Sequence, residues 1–459
     1  MHNKNPEIKF CSGAGSVTGA NFLFEVSSGS SEKIKILVDC GLVQGSSIAD
    51  KENWEPFSYD PKEIDYLFIT HSHIDHIGRI PKLINDGFSG VIYSTIPTKD
   101  IAEIMLEDTN VILGRSKEFD LANIYTESNL KKAISMWKTV DYHDVTVLSS
   151  GVTFFFMDAG HVLGSAMINF NIDGKNIVFT GDLGNSPSPL LRDTEKLGDV
   201  DYLIMESVYG DRNHEDREER KKKLEAVIEE TYSKGGTLII PTFSLERTQE
   251  LLFEINDFVE NKRIPEMPIF LDSPLAIRLT RVYQRYVRYF NSPARDLIES
   301  GDDIFMFKGL KKTETTEDSK SILRTTGPKI VIAGSGMSNG GRVVHHERNY
   351  LSDSNNTLLL IGYQSLGTLG RAIEDGAKTV RILGEDVKVN ARIAKISGYS
   401  GHKDSDHLVS FVEDVADNVK KIFVVMGEPK SSNFLVQKIR DNLGVNAYAP
   451  ENGESVILE

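Results

Sequence analysis

The chain has 459 residues, of which 40% are hydrophobic and 26% are charged. This composition is that of a globular protein with a large core, and it excludes a disordered or collagen-like chain. The formal net charge of −15 argues against a protein that is positively charged over its whole surface. The charge is uneven, because residues 251–400 carry 21 basic and 18 acidic side chains. We therefore expect a polyanionic partner, if there is one, to bind this segment.

The sequence contains no apolar run that approaches the ~18 residues of a membrane-spanning helix. Residues 1–10 lack the apolar stretch of a secretory signal. The two cysteines, Cys11 and Cys40, are too few for a disulfide scaffold and fit a reducing compartment. These features predict a cytoplasmic protein.

The first two hundred residues indicate short strands separated by turns, and several of these strands end on a polar residue. In chain order the predicted strands are KIKILVDCG, DYLFITH, GVIYST, TFFFMDAGH, KNIVFTGD and DYLIMES. From Asp211 onward, amphipathic helices alternate with the buried strands TLIIPTF, PIFLDS, KIVIAGSG and TLLLIGY. This alternation predicts a largely parallel sheet with covered faces. After about Asp386 the pattern of the first two hundred residues resumes, in the segments ARIAKISGYSGH, KKIFVVMGE and SSNFLVQKIRDNL.

A cluster of histidines follows the predicted strand Tyr66–Thr70. His71, His73, Asp75 and His76 place three imidazoles and a carboxylate within six residues. Imidazole and carboxylate together suit zinc, and two metals about 3.5–4 Å apart can clamp a phosphoryl group during hydrolysis. A single histidine would more simply be an unrelated surface residue. The cluster at the end of a strand instead predicts a site for two metals.

Two further polar residues stand at predicted strand ends and are flanked by glycine. They are His161 in DAGHVLGS and Asp182 in FTGDLGN. We expect both to complete the metal site.

The sequence resembles the metallo-β-lactamase superfamily, whose HxHxDH signature spans His71 to His76. Asp39 of LVDCG, His161 and Asp182 are similar to the other metal-site motifs of that family. The segments DYLIMESVYG, IIPTFSLERTQELL, LDSPLA, IAGSGMSNGGRVVHH, GYQSLGTLGR and SGYSGHKD resemble the β-CASP branch. This branch comprises nucleic-acid-processing nucleases, among them the endonuclease subunit of the eukaryotic pre-mRNA 3′-end machinery and its bacterial and archaeal relatives. The resemblance covers nearly the whole chain.

The resemblance implies an α/β fold in which a β-CASP domain is inserted into a metallo-β-lactamase αββα sandwich. The inserted domain would contain a parallel sheet flanked by helices. We therefore expect a first part of the metallo-β-lactamase domain at 1–207, the β-CASP domain at 208–385 and the C-terminal part of the first domain at 386–459.

The resemblance also implies a role for each residue of the metal site. His71, His73 and His161 would bind the first metal, Asp75 and His76 the second, and Asp182 would bridge the two. Asp39 would fix an imidazole tautomer or a bridging water, although an Asp before Gly41 can also simply form a turn.

Glu206 and His402 correspond to the first two β-CASP motifs. A carboxylate that keeps an imidazole protonated is a suitable general acid for an alkoxide leaving group. The alternative for His402 is a residue at the start of a helix. Because Glu206 precedes the insertion and His402 follows it, we expect His402 to lie within about 10 Å of Asp182 for acid and metal to act on one phosphodiester. The predicted catalytic residues are Asp39, Asp75, Asp182, Glu206 and His402.

One position departs from the family. The third β-CASP motif has a His in a VHGE-like turn, and this His would bind the second metal, but here Met426 takes its place. A neutral thioether is a poor zinc ligand beside oxygen and nitrogen donors. The second metal would keep Asp75, His76 and Asp182, so its occupancy is in question.

Two features suggest contacts to RNA. Arg278, Arg281, Arg285 and Arg288 have helical spacing after Pro274 and would form a basic face, with aromatic residues interleaved. The alternative is a solvated helix face with core aromatics behind it. The glycine-rich runs around Ser335, Gly336 and Ser338, and before Arg371, could receive phosphates, or could simply form tight turns.

These observations predict a zinc-dependent ribonuclease that cleaves single-stranded RNA, as an endonuclease or also as a 5′-exonuclease, in RNA processing or decay. A homodimer is compatible with the sequence. One alternative is an RNA-binding scaffold subunit with weakened catalysis, which Met426 favours. The other is a small-molecule hydrolase of the same superfamily, although such an enzyme needs no inserted α/β domain.

Overall fold

The computed structural model describes residues 5–27, 33–45, 51–114 and 121–459. The chain folds into two compact units. The first consists of Met1–Asn213 and His402–Glu459, and the second of His214–Gly401.

The described strands of Met1–Asn213 are β1 (Glu7–Ser12), β2 (Asn21–Ser27), β3 (Lys33–Val38), β4 (Tyr66–Phe68), β5 (Val91–Ser94), β6 (Trp137–Thr139), β7 (Thr146–Val147), β8 (Thr153–Asp158), β9 (Ala166–Ile172), β10 (Lys175–Phe179) and β11 (Tyr202–Glu206). Its described helices are α1 (Ile74–Ile77), α2 (Ile80–Asn85), α3 (Ile96–Leu113), α4 (Leu121–Ile124) and α5 (Glu127–Ser135).

The second unit contains the strands β12 (Thr237–Pro241), β13 (Ile269–Asp272), β14 (Leu310–Lys312), β15 (Lys329–Ala333), β16 (Thr357–Ile361), β17 (Thr379–Ile382), β18 (Glu385–Lys388) and β19 (Arg392–Ile396). Its helices are α6 (Arg217–Ser233), α7 (Arg247–Glu260), α8 (Pro274–Arg285), α9 (Ser292–Glu299), α10 (Thr316–Ile322), α11 (Val343–Tyr350) and α12 (Leu369–Glu374). The chain then returns to the first unit with α13 (Ser405–Glu413), β20 (Lys421–Val425), α14 (Pro429–Leu443), β21 (Ala447–Tyr448) and β22 (Ser455–Ile457).

Local sequence accounts for several helix ends. The side chain of Asp216 caps α6 by accepting from the N–H groups of Glu218 and Glu219. Helix α14 begins at Pro429 and ends at Leu443, and the residue that caps it, Gly444, has a positive φ of 67° that suits glycine.

The first unit is built on two seven-stranded sheets. Their strand orders are β22-β1-β2-β3-β4-β5-β6 and β21-β20-β11-β10-β9-β8-β7. One buried cluster contains Phe24 and Phe68 from the first sheet with Phe154, Phe170 and Phe179 from the second. The rings of Phe68 and Phe170 are 4.9 Å apart in an edge-to-face arrangement, so the apolar faces of the two sheets pack on each other.

Helices cover the outer face of each sheet. Leu67 and Ile92 of the first sheet pack with Ile77, Leu83 and Leu106 of the helices α1 to α3. On the second sheet, Leu203 and Val424 pack with Leu408 of α13 and Leu435 of α14. This αββα arrangement confirms the fold class expected from the sequence.

The second unit contains a six-stranded sheet with the order β14-β13-β15-β12-β16-β19. Every neighbouring pair in it is parallel. The edge strand β19 pairs with β16, Thr357 lying opposite Arg392. Residues 392–396 therefore belong to the second compact unit, which runs from His214 to Gly401, whereas the resemblance implied an inserted domain over 208–385. No described helix is both long and apolar enough to cross a membrane.

Candidate metal centre

Strand ends of the first unit carry the histidines and carboxylates that the sequence singled out. His71 follows β4, His161 follows β8, Asp182 follows β10, and Glu206 is the last residue of β11. Strand β11 is parallel to both β10 and β20. The carboxyl ends of these three strands therefore lie at one edge of the sheet.

Four side chains form a compact group at this edge: His71, His73, His161 and Asp182. One possible ligand atom from each lies within 4.8 Å of the others. His73 Nδ1 is 3.0 Å from His71 Nε2 and 3.2 Å from His161 Nε2. Asp182 Oδ2 lies 3.4 Å from His71 Nε2 and 3.6 Å from His161 Nε2. Three imidazoles and a carboxylate converging in this way fit a divalent cation such as zinc.

The protonation of the imidazoles agrees with this fit. Burial, with further contributions from neighbouring imidazoles, holds the pKa values of His71 and His73 well below normal. Both rings are therefore neutral at physiological pH, and a neutral ring nitrogen has the lone pair that a metal requires.

His76 and Asp182 provide a second indication. His76 Nε2 and Asp182 Oδ1 lie 3.4 Å apart, and both are buried without a hydrogen-bond partner. Burial opposes charge on each group, yet Asp182 and Asp39 raise the pKa of His76 well above normal, and His76 lowers that of Asp182. Positive charge is thus favoured between these atoms, as a second cation would supply it.

Asp75 is the remaining residue predicted to bind the second metal. Its Oδ2 lies 4.0 Å from His76 Nε2. Burial raises the pKa of the Asp75 carboxyl to about 6, which a nearby cation would reverse by favouring the carboxylate.

Asp39 holds His76 in place. Its Oδ2 lies 2.7 Å from His76 Nδ1 and accepts from the Thr70 hydroxyl at 2.7 Å, while its Oδ1 accepts from the Thr70 N–H at 2.8 Å. Because Nδ1 donates to Asp39, Nε2 of His76 faces Asp182 and is the nitrogen that a bound metal would contact. Asp39 adopts a positive φ of 59°, a conformation that Asp tolerates better than most residues.

Glu206 and His402 form the second carboxylate–histidine pair. His402 Nδ1 lies 3.2 Å from both carboxylate oxygens of Glu206 and 3.9 Å from Asp182 Oδ2. Burial opposes the charged imidazole, but Glu206 outweighs this effect and raises the pKa of His402 to about 10. His402 therefore carries a proton at physiological pH, beside the candidate metal ligands.

Met426 lies directly after β20, at the position where the family has a histidine. It is buried in the apolar core of the first unit. An added Cβ at Gly13 would lie 2.7 Å from its Sδ, so the sulfur packs tightly against that turn. Met426 also lines, with Asp39 and His76, a cavity of about 10 Å³, room for about one water molecule.

The arginine face is only partly as predicted. Arg278, Arg281 and Arg285 are exposed on α8, and Arg281 forms an ion pair with Glu314 at 2.6 Å. Arg288 lies beyond the end of α8, in a 3-10 turn, because the helix stops at Arg285. The interleaved aromatics Tyr283, Tyr289 and Phe290 are buried, so they pack in the core rather than offer stacking surfaces.

The glycine-rich segments follow β15 and β16. Ser338 is buried, and its hydroxyl donates to Glu347, so that hydroxyl serves the loop rather than the surface. Gly336 is also buried, whereas Ser335 is partly exposed. Arg371 is partly exposed and donates to Asp375 from Nε at 2.9 Å.

The sequence analysis did not identify two groups that hold the site residues in place. Thr70, next to His71 in the motif, holds Asp39 through both its N–H and its hydroxyl. The N–H of Leu183 donates to Glu206 at 2.5 Å, which ties the loop of Asp182 to the acid pair. The position of Thr70 directly before the histidine cluster was the only available signal, since a backbone donor leaves no trace in the residue types.

Three family profiles match successive parts of the chain. The Metallo-beta-lactamase superfamily domain matches residues 30–201, the Beta-Casp domain residues 248–373, and the Zn-dependent metallo-hydrolase RNA specificity domain residues 386–450.

Curated relatives match most of the chain. Ribonuclease TTHA0252 of Thermus thermophilus is 37% identical over 379 residues, which are 83% of this chain and 85% of that protein. An RNase J-like protein of Methanocaldococcus jannaschii is 32% identical and covers 92% of this chain and 94% of its own length. The transcription termination factor FttA of Methanosarcina mazei is 31% identical over 94% of this chain, which spans 69% of that protein.

The fold also matches a crystal structure of a protein of unknown function from Enterococcus faecalis, with a TM-score of 0.57 and 13% identity over 99% of this chain and 100% of that one. This likeness concerns the fold alone. The family profiles and the relatives together show that the chain belongs to the β-CASP nuclease branch of the metallo-β-lactamase superfamily, and that it is a metal-dependent hydrolase.

Proposed function

We propose that the protein is a zinc-dependent endoribonuclease that hydrolyses single-stranded RNA to products with a 5′-phosphate and a 3′-hydroxyl. The observation that carries this proposal is the juxtaposition of two chemical groups. His71, His73, His161 and Asp182 converge as a metal-binding set, and the protonated His402 lies 3.9 Å from one of them. Residues that can bind a Lewis-acid metal thus lie next to a residue that can act as general acid. Hydrolysis of a phosphodiester uses both groups.

The metal residues divide into two sets. His71, His73 and His161 would hold a first zinc, Asp75 and His76 a second, and Asp182 would bridge them. When bound, the metals supply stabilisation of the developing phosphoryl charge and a water with a lowered pKa.

The chain's own groups carry the proton that the reaction needs. Glu206 accepts from His402 Nδ1, orients the ring and stabilises its positive charge. His402 then donates its Nε2 proton to the departing 3′ oxygen of the RNA. Asp39 and Thr70 keep His76 in the tautomer that directs Nε2 to the metal set.

Metal analysis combined with RNA cleavage tests the proposal. Purified protein is assayed for zinc content and is then given RNA labelled at either end, together with DNA of the same sequence. We expect internal cuts with 5′-phosphate ends, and cleavage lost on chelation. RNA binding without cleavage by zinc-loaded protein would favour the scaffold alternative. Hydrolysis of thioesters or lactams without RNA cleavage would favour the small-molecule hydrolase. The cytoplasmic location and the homodimer also stay predictions.

Met426→His is expected to raise occupancy of the second metal position and to accelerate RNA cleavage. Asp75, His76 and Asp182 are the described residues that we expect at this position of the wild-type protein, so chelation should remove its metals in two steps. An added imidazole ligand should increase metal affinity by more than the roughly 10–100-fold effect of a residue that only orients a ligand. Metals per chain after dialysis and the rate of RNA cleavage are the two measurements.

Met426→Leu is the matched control for this prediction. It keeps an apolar side chain of similar volume without a ligand atom, so metal content should stay at the wild-type level. If wild-type protein already retains two metals after dialysis and cleaves RNA as fast as the His variant, another group completes the site and the argument from Met426 fails.

Replacing Arg281 and Arg285 together by alanine is expected to weaken RNA binding for all sequences. Each phosphate contact that is lost should reduce the slope of log affinity against log salt by about 0.7 for single-stranded RNA. The measurement is RNA affinity at several salt concentrations. The matched control replaces Lys308 and Lys320, two exposed cations of the second unit that pair with Glu266 and Glu317. Equal slopes for the two double variants would assign the arginines to an ordinary solvated face.

A further inference from the structure

Two aromatic side chains are exposed at one edge of the parallel sheet in the second unit. Phe243 follows the end of β12, and Tyr363 follows the end of β16. Their exposed fractions are 41% and 45%, which is unusual for large rings, because burial of a ring is strongly favoured. The strands β12 and β16 are parallel neighbours, with Leu238 opposite Thr357. Both rings therefore lie at the carboxyl ends of adjacent strands, which are about 4.8 Å apart.

At this end of the sheet, the connections that leave neighbouring strands run in opposite directions across the sheet. After β12 the chain proceeds to β13 on one side, whereas after β15 it proceeds to β16 on the other. In open α/β sheets, ligands bind outside the carboxyl ends of the strands at such a point. The Phe243 ring lies at this point, against the loop after β15. An added Cβ at Gly336 of that loop would lie 2.8 Å from the ring. Only glycine allows the ring this position.

The loops around the two rings hold each other in place. Gln364, next to Tyr363, donates to the Gly336 carbonyl at 3.1 Å. The N–H of Gly370 donates to the Met337 carbonyl at 3.2 Å, and an added Cβ at Gly370 would lie only 1.9 Å from Gln364 Oε1. The loops after β15 and β16 are therefore joined by hydrogen bonds, and the Phe243 ring, from the loop after β12, packs against Gly336. Rings held in this way lose little entropy when a ligand contacts them.

One cation, Arg371, lies near the Tyr363 ring. Its Nε donates to both carboxylate oxygens of Asp375 at 2.9 Å. The second unit also contains the segment 251–400, in which basic side chains outnumber acidic ones by 21 to 18. Exposed rings next to a cation are the arrangement with which proteins bind single-stranded nucleic acid, through base stacking and phosphate contacts.

We propose that Phe243 and Tyr363 form a base-stacking site for single-stranded RNA on the second unit. This inference rests on the proposed ribonuclease function and adds the residues that contact the bases of the substrate. Because every base has a π face, such a site binds RNA with little sequence preference and holds the strand by its bases as well as by its phosphates.

The test measures binding of a fluorescent oligoribonucleotide to the zinc-loaded protein, by stopped-flow anisotropy read before cleavage. Phe243→Leu and Tyr363→Leu remove the ring and keep an apolar side chain. We expect each to weaken binding by roughly five- to 150-fold, the effect of losing one stacked base. Phe243→Tyr and Tyr363→Phe retain the ring and should bind as wild type. Leu366→Ala is the matched control, since Leu366 is an aliphatic residue of the same loop and is 72% exposed.

An abasic oligonucleotide of equal length distinguishes a loss of base stacking from other causes of weaker RNA binding. Wild-type protein should bind it more weakly than normal RNA, and the double leucine variant should bind both equally. Unchanged affinity of the leucine variants, or no discrimination by wild type, would overturn the proposal and leave the rings as a surface for a protein partner or without a ligand.

Hydrolysis of bis(p-nitrophenyl) phosphate, which has no bases, is measured for every variant. Retention of this activity in the leucine variants shows that they fold and that their metal centre is intact. If wild-type protein discriminates abasic from normal RNA but hydrolyses neither RNA nor the small phosphodiester, the proposed nuclease function fails while the stacking site stands.

Discussion

Asp182→Asn is expected to remove both the bound metal and the RNA cleavage. Asp182 lies 3.4 Å from His71 Nε2 and from His76 Nε2, and 3.6 Å from His161 Nε2, so it lies beside the residues that would hold each metal. Its replacement by an amide would leave Asp75 as the one carboxylate of the proposed ligand set to offset the mutual repulsion of two cations, since the neutral imidazoles carry no charge. The loss should exceed the roughly 10–100-fold effect of removing a residue that only orients a ligand. Metal content and the cleavage rate of labelled RNA are the measurements.

Asp158→Asn is the control for this substitution. Asp158 is also a buried carboxyl at a strand end, with a pKa that burial raises to about 7, and asparagine keeps the oxygen that accepts from the Gly160 N–H. We expect this variant to retain metal and cleavage. An Asp182→Asn protein with unchanged metal content and cleavage would show that Asp182 is not a bridging ligand.

His402→Ala is expected to slow RNA cleavage by about 10²–10⁴-fold without loss of metal, the usual contribution of a general acid. The 3′ oxygen of RNA is a poor leaving group and needs a proton as it departs. A p-nitrophenolate leaving group is stable as an anion and needs none. The same variant should therefore hydrolyse bis(p-nitrophenyl) phosphate at close to the wild-type rate. The ratio of the two rates is the measurement.

The ratio distinguishes an acid from a metal ligand, because His402 also lies near Asp182 and Glu206 in a group that could hold a cation. Equal losses on both substrates, together with a lower metal content, would make His402 a ligand and remove the proton-donor role. Glu206→Gln should give a smaller loss in the same direction, since an amide oxygen can still accept from Nδ1 but no longer stabilises the charged ring.

Local sequence was sufficient for the alternation of strands and helices and for naming the candidate ligands, whereas the αββα sandwich with its inserted domain followed from the family resemblance. His71, His73, Asp75 and His76 lie within six residues, and such spacing places side chains together whatever the rest of the chain does. The strands of the first unit were also predictable, because alternating or continuous apolar residues bounded by glycine are a local property. The glycines and the single polar residue at the ends of β8 and β10 identified His161 and Asp182 for the same reason.

Only the tertiary structure decided which distant residues meet and which side chains are exposed. Strand β19 looks like the strands that follow it, yet it pairs with β16 of the second unit, since register and partner depend on contacts far apart in sequence. Thr70 holds Asp39 through two hydrogen bonds, and the Leu183 N–H donates one to Glu206. No sequence spacing predicts these contacts. The structure was also needed to tell buried aromatic residues from exposed ones, since Tyr283 lies in the core whereas Phe243 is exposed. Residue types define what a side chain can do, but non-local packing determines its neighbours and its access to solvent, and these are set by the whole fold.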